Sequence, residues 1–297
     1  MALIENTLFG IHNKIETAIM RIKEFEPIAV SINQAGYYVC ISGGKDSSAI
    51  QELCLMAGVK CEFAHNHTSV DYPETVYFIR REKERLEKSG HKFRIEYPLY
   101  SDGSRKTMWN GICKKGLPTR IMRWCCSELK EYGGLGRYCI TGVRWAESVK
   151  RLKRGVHETF TKNKTDKVVL NNDNDMIRKQ TEICVLKGKY ILNPIIDWSD
   201  NDVWDFIKLR DVPVNPLYSQ GYKRVGCIGC PMTGKNKIKE LDKFPKYKNA
   251  YYEAAEKYIE YKKERGLKIY GVHETPKKYF EWWLNDKMPE LDSLWEE

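Results

Sequence analysis

Apolar residues along this chain follow two rhythms. Between residues 5 and 33 they recur at helical spacing (Ile11, Ile15, Ala18, Ile19, Ile22), which predicts one or two helices. Short apolar runs then alternate with amphipathic stretches. Tyr37–Ile41 reads as a strand, 47–57 as a helix, 60–64 as a strand and 72–88 as a long charged helix. Strands at 93–97 and 138–141 follow, separated by helical segments near 106–115 and 126–132. This alternation predicts an α/β fold, doubly wound, with a mostly parallel sheet and helices on both faces. Residues 155–180 are polar and read as a loop or small insertion, and 182–192 holds two strand-like runs around "KGK". A helix is expected over 199–209, capped by Ser199 with Asp200 and Asp202 behind it. Beyond Met232 a Lys-, Glu- and Tyr-rich tail keeps helical spacing. The expected division is a helical segment at 1–34, a main α/β domain at 35–232 and a helical extension at 233–297.

Composition changes this picture in three places. No run of about 18 apolar residues occurs, so no membrane-spanning helix is expected. The first residues carry charge early and lack the apolar stretch of a signal peptide, so the expectation is a cytoplasmic protein. Ten cysteines in a reducing compartment point to core thiols or metal ligands rather than disulfides. The net charge of +10 is concentrated: residues 104–154 hold thirteen Lys and Arg against three Asp and Glu. Such a stretch suits a polyanionic partner, whether nucleotide phosphates, sulfate or nucleic acid, although a solvated basic face would carry the same charge.

The strand at Tyr37–Ile41 stops at "SGGKDSS". Two glycines that open a helix allow a phosphate to approach backbone N–H groups, and the helix N-terminus favours an anion. The candidate nucleotide contacts are Ser42, Gly43, Gly44, Lys45, Asp46 and Ser47. The spacing is neither the P-loop nor the dinucleotide fingerprint. The string resembles the pyrophosphate-binding (PP) loop of the adenine-nucleotide α-hydrolase superfamily, which includes the N-type ATP pyrophosphatases.

Three further stretches narrow that resemblance. "HNHTSVDYPET" (65–75) is similar to the "DTG…PET" segment of phosphoadenosine phosphosulfate (PAPS) reductases, with Thr68-Ser69-Val70 where those enzymes carry Asp-Thr-Gly. "ITGVRWAESVKR" (140–151) resembles their Thr-Gly-hydrophobic-Arg segment. "NPIIDWSDNDVWDFI…VPVNPLYSQGYKRVGCIGCP" (193–231) resembles the region that follows it. The resemblance to the PAPS reductase family runs in order from about residue 36 to 231. It implies nucleotide contacts from Asp71 and Gly142 and catalytic roles for Lys45, Asp46, Arg144 and Arg151. Arginine at the last two positions can grip sulfate or phosphate in a planar, bidentate way. Asp197, Trp198 and Trp204 read as packing residues, and His65 and His67 receive no catalytic role.

Cysteines give the other signal. "RWCCSELK" holds Cys125 and Cys126, and "GCIGCPM" holds Cys227 and Cys230. Four thiolates can hold a tetrahedral zinc or a [4Fe–4S] cluster. An adjacent pair plus a distant C-x-x-C resembles the cluster ligands of adenosine 5′-phosphosulfate (APS) reductases, which implies [4Fe–4S] ahead of zinc. Cys40, Cys54, Cys61, Cys139 and Cys184 read as core residues, and Cys113 is unassigned.

Three functions fit these residues. An adenylating sulfurtransferase would use ATP with Mg²⁺, an acceptor that the basic stretch allows to be a nucleic acid, and a sulfur-donor protein. An assimilatory reductase would take APS or PAPS and release sulfite. The resemblance ties that chemistry to a further cysteine in a Glu-Cys-Gly-hydrophobic-His motif, and no cysteine follows Cys230 in this sequence. A non-catalytic nucleotide- or nucleic-acid-binding subunit is the third, and the intact loop opposes it.

Overall fold

A computed structural model describes residues 3–7, 10–149, 151–160, 169–170, 189–234, 236–269 and 271–285. These residues gather into two compact units. Unit 1 comprises residues 1–65, 73–96 and 133–225, and unit 2 comprises 66–72, 97–132 and 226–297.

Unit 1 begins with a hairpin, β1 (Ile4–Thr7) against β2 (Gly10–Asn13). The sequence pattern predicts helix here from residue 5. Gly10, at φ +117°, and the extended Asn13 end that reading: Asn13 Oδ1 accepts from the N–H groups of Ile15 and Glu16 and so caps α1 (Lys14–Ile32). The sheet is built from β3 (Tyr37–Cys40), β4 (Cys61–Asn66), β5 (Lys92–Glu96), β6 (Tyr138–Ile140), β7 (His157–Phe160), β8 (Val169–Leu170) and β9 (Lys189–Leu192). Its spatial order is β5-β4-β3-β6-β9-β7-β8. The pairs β3/β4, β3/β6 and β6/β9 are parallel, and β7 runs antiparallel to both β8 and β9. The stretch 155–180, read as a loop or small insertion, contributes two strands, β7 lying between β9 and β8. Cys184 and the first strand-like run of 182–192 lie outside the described residues.

The helices of unit 1 are α2 (Lys45–Ala57), α3 (Pro73–Lys88) and α5 (Asp200–Arg210), together with α1. They flank the sheet, as the alternating pattern predicts. Tyr37 and Val39 of β3 enter a large core with Ile22, Phe25, Leu53 and Phe206. Tyr38 points into a smaller cluster with Ala64, Cys139 and Ile191. A strand buried on both faces has to be apolar throughout, which is why Tyr37–Ile41 shows no alternation. Burial of each large side chain is worth about 1.5–3 kcal/mol.

Unit 2 contains α4 (Met108–Lys115), α6 (Asn236–Lys243), α7 (Pro245–Glu264) and α8 (Pro276–Asn285). Thr107 caps α4 in a reciprocal box with Asn110. The core is aromatic: Tyr251 packs on Trp109 and Trp283, and Trp283 packs on Phe280. Among the described residues, no helix is long and apolar enough to cross a membrane.

Candidate functional site

The strand order of the unit 1 sheet reverses between β3 and β6. Strands β4 and β5 extend to one side, β6 and β9 to the other. The carboxyl edge at such a switch point is where open α/β sheets bind ligands. "SGGKDS" leaves β3 at this edge. Gly43 takes φ +79°, and a Cβ there would lie 2.8 Å from Thr75 Cγ2, so only glycine fits. Gly44 is the extended residue that opens α2, with no side-chain cap on the helix. Gly142 follows β6, where a Cβ would meet the Asp46 backbone at 3.0 Å. Its missing side chain lets the end of β6 press against the first turn of α2.

Polar groups fix the loop's shape. Ser47 Oγ donates to Gly44 O at 2.7 Å, Ser42 Oγ donates to Ser47 Oγ at 3.3 Å, and Gly44 N–H donates to Ser42 Oγ at 3.4 Å. The Lys45 N–H donates to the Tyr218 hydroxyl at 2.9 Å. Burial pushes that phenol up to about 12. Asn215 donates from Nδ2 to Thr75 Oγ1 and also accepts from the Leu217 N–H, so "PET" and "NPLY" form one wall beside Gly43.

Four charges surround the helix start. Arg144 is 1% exposed. Its Nε donates to Asp46 Oδ1 at 2.7 Å, its Nη2 to Asp200 Oδ1 at 2.6 Å and its Nη1 to the Trp198 carbonyl at 3.1 Å. Lys45, also buried, lies 3.3 Å from Asp46 and 3.1 Å from Asp200. The Asp200 side chain remains 69% exposed. Burial opposes its charge, but Arg144 and Lys45 hold the carboxyl below the usual carboxylate range. Asp200 is the residue that sequence reasoning undervalued, because it reads as helix-cap chemistry behind Ser199. Tyr218, Thr75 and Asn215 lay inside motifs already singled out but received no role. Arg151 pairs with Glu147 rather than with the loop's carboxylates. Burial and the nearby guanidinium of Arg224 lower its proton affinity. Arg144, Arg151, Arg154 and Arg224 thus form a cationic neighbourhood in unit 1.

Unit 2 holds the thiols. Cys125 and Cys126 enter a wide turn in which the Glu131 N–H reaches back five residues to Cys126 O at 2.9 Å. Such π-type turns often mark functional sites. Asp71 pairs with Cys227 in an isolated antiparallel bridge, beside a bond from the Ile228 N–H to Val70 O at 2.8 Å. Gly229, at φ +71°, would place a Cβ 2.9 Å from Tyr251, so the C-x-x-C turn requires glycine. Asp71 accepts from the Thr68 N–H at 2.8 Å, and Thr68 Oγ1 lies 3.5 Å from Cys227 Sγ. The contacts described for Asp71 are therefore with Thr68, Cys227 and Tyr247, all in unit 2.

The four thiols share one electrostatic environment. A hydrogen bond with Cys126, then burial, then the charges of Cys126, Cys227 and Cys230 push the Cys125 thiol up. Cys126 is lowered, first by the Cys125 hydrogen bond and then by Arg123, whose Nη2 lies 3.2 Å from its sulfur. Burial raises Cys227, while Lys130 opposes the rise. The Lys130 ammonium is held charged by Cys227 above all. Among the described residues, no three His, Cys, Asp or Glu side chains stand close enough together to hold a metal ion. The donor chemistry does suit one: four thiols, with Arg123 and Lys130 favouring thiolates. Cys54 and Cys139 are buried, and Cys40, Cys61 and Cys113 half-buried. Burial raises the thiols of Cys54, Cys61 and Cys113.

Residues 36–233 match a family described as the phosphoadenosine phosphosulfate reductase domain. An uncharacterized protein of Methanocaldococcus jannaschii is 29% identical over 293 residues, which cover 93% of this chain and 61% of the relative. A second from that organism is 28% identical over 74% of this chain and 42% of its own. An adenosine 5′-phosphosulfate reductase of Burkholderia cepacia is 53% identical over 182 residues, 59% of this chain and 62% of the relative. The chain thus spans between about two fifths and three fifths of the length of these relatives. The crystal structure of a PAPS reductase from Candida auris is 16% identical, with a TM-score of 0.40, over 72% of this chain and 93% of the other.

Proposed function

For a chain that belongs to the phosphoadenosine phosphosulfate reductase domain family, we propose an enzyme of sulfur chemistry that binds an adenine nucleotide in the 42–47 loop and, with ATP, activates an acceptor by adenylation. The single observation behind the nucleotide reading is the loop itself. Gly43, required by space and by φ, a helix start and two buried cations meet at the carboxyl edge of β3. Ser42 to Ser47 contribute the phosphate cradle, and Lys45 and Arg144 the positive charge. Asp46 and Asp200 keep those cations oriented, while Gly142 gives β6 its close approach. Arg151 contributes longer-range attraction for the anion.

In the adenylation step an acceptor oxygen attacks the α-phosphorus of MgATP, and the bond to the β-phosphate oxygen breaks, releasing pyrophosphate. The acceptor then carries AMP. A sulfur nucleophile attacks the activated carbon, and the C–O bond breaks with AMP as the leaving group. Lys45, Arg144 and the loop's amides stabilise charge as it moves onto pyrophosphate. The basic run 104–154 favours a nucleic-acid acceptor. In unit 2, Arg105 lies over Tyr97, and Lys106 and Lys114 over Tyr100, a pairing of cations with rings that suits bases and phosphates together. We propose a sulfur-donor protein as the second partner. Cys125, Cys126, Cys227 and Cys230 would hold a [4Fe–4S] cluster, which when bound supplies one-electron redox capacity. Asp71 would brace the Cys227 turn.

A second reading, sulfite formation from APS, is favoured by the similarity to APS reductases. One experiment separates the two. Anaerobically purified protein is given ATP in one reaction and APS or PAPS with a thiol reductant in others. Pyrophosphate from ATP, rising when RNA or DNA is added, is the expected result. Sulfite from APS with no pyrophosphate from ATP overturns adenylation in favour of the reductase.

A further inference from the structure

One carboxylate oxygen sits between the two buried cations of the glycine-loop site. Asp200 Oδ1 lies 3.1 Å from Lys45 Nζ and 2.6 Å from Arg144 Nη2. Lys45 belongs to the loop and to the first turn of α2, Arg144 to the segment after β6, and Asp200 to the first turn of α5. The three differ in freedom. Lys45 and Arg144 are buried and carry further bonds: both contact Asp46, and Arg144 also donates to the Trp198 carbonyl. The Asp200 side chain is mostly exposed. Nor does the start of α5 depend on it. Ser199 and Asp202 cap that helix reciprocally, the Asp202 N–H donating to Ser199 Oγ at 3.1 Å and the Ser199 N–H to Asp202 Oδ2 at 2.7 Å. The carboxylate can therefore turn into water while the two cations stay where Asp46 and the backbone hold them.

We infer that Asp200 is a built-in competitor for the loop's ligand: its Oδ1 holds the seat that a phosphate or sulfate oxygen takes on binding, and the carboxylate is then displaced to solvent. The inference rests on the nucleotide reading above and holds equally for ATP, APS or PAPS. A phosphate oxygen carries the same kind of charge as a carboxylate oxygen and accepts from the same donors, so an ammonium and a guanidinium that share one suit the other. The charge count agrees. Lys45 and Arg144 bring two positive charges, and Asp46 and Asp200 two negative ones. With Asp200 seated, the group offers an incoming anion no net attraction. With Asp200 released, one positive charge is uncovered beside the start of α2, where the helix itself favours an anion. Asp46 is the poorer candidate for release, because its side chain is 22% exposed and stands within the loop between the same two cations. The contact makes Asp200 a specificity residue. An anion binds only if it offers the loop's N–H groups and cations more than Asp200 gives up. A pyrophosphate that spans the loop meets that demand, and a small monovalent anion does not.

The test is calorimetric binding of pyrophosphate and of ATP, with divalent cations chelated, to the full chain as wild type, Asp200→Asn and Asp211→Asn. Asparagine keeps the shape of the side chain and removes its charge. Asp211, past the far end of α5, gives the same change in net charge outside the seat, and asparagine tolerates its left-handed backbone at φ +49°. Asp200→Asn is expected to bind both probes about tenfold or more tighter than wild type. Asp211→Asn is expected to stay within about twofold of wild type, since a distant exposed charge is screened. A second readout needs no variant. In crystals of wild type with pyrophosphate, a ligand oxygen is expected between Lys45 Nζ and Arg144 Nη2, with the Asp200 carboxylate turned to solvent. Unchanged or weaker binding by Asp200→Asn, an equal gain in Asp211→Asn, or a pyrophosphate complex in which Asp200 still contacts both cations overturns the inference and leaves the nucleotide reading intact. Absence of binding of either probe by both wild type and Asp200→Asn overturns both.

Discussion

The glycine loop of unit 1 and the thiol group of unit 2 are built in opposite ways. The loop is contiguous: one hexapeptide supplies glycines, cation, carboxylate and hydroxyls, and distant residues only brace it. Its charges are paired, Lys45 and Arg144 against Asp46 and Asp200. The thiols come from segments about 100 residues apart, near enough to feel one another's charge, although among the described residues no three such side chains stand close enough to hold a metal ion. Their charges are of one sign once ionised, and Arg123 and Lys130 offset them. A site of paired charges can exist preformed without its ligand. A site of like charges gains most from a cation that binds all of them, and so depends more on its occupant.

This contrast yields a ranked set of outcomes. The largest effect belongs to the thiols. Cys227→Ser is expected to abolish the iron content and brown colour of anaerobically purified protein, with nucleotide affinity retained. Unchanged iron would refute the ligand set. Next is Gly43→Ala, which forces a Cβ against Thr75 at a positive φ. It should cost about 1–3 kcal/mol in thermal or denaturant unfolding and greatly weaken nucleotide binding. Retained affinity would show that the loop's backbone shape is not what recognises phosphate. Lys45→Ala is expected to lose about 1.5–3 kcal/mol of nucleotide affinity by calorimetry, with iron unchanged.

The smallest effect concerns stability in acid. Burial alone would raise Glu62, but Lys92, Arg137 and Arg94 hold it at about 2, below its ordinary 4.5. Its contribution is therefore complete above about pH 4.5 and is lost as pH falls through about 2. Removing it should cost on the order of 1–3 kcal/mol at neutral pH and less in acid. Unfolding of Glu62→Gln followed from pH 7 to pH 2 should converge on wild type at the acid end. A constant difference across that range would exclude the charge as the cause.

The sheet and the loop were legible in the sequence because both are local. A run buried on both faces has to be apolar, and glycines at strand ends announce a tight approach. The hairpin before α1 was not legible, because Ile11 and Ile15 happen to continue a helical spacing across a backbone that Gly10 and Asn13 redirect. The strands at 157–160 and 169–170 are short, and β7 buries the polar His157 and Glu158, so no apolar alternation announces them. In the site, Arg144 was found by motif, but its partner Asp200 was masked by a second, genuine position at a helix start.

The most direct test of the account follows the label in [α-³²P]ATP incubated with anaerobic protein, candidate RNA or DNA acceptors and a sulfide source. Attack at the α-phosphorus predicts labelled AMP together with pyrophosphate, both reduced in parallel by Lys45→Ala. Labelled ADP with inorganic phosphate, or no ATP cleavage alongside sulfite production from APS, would contradict it.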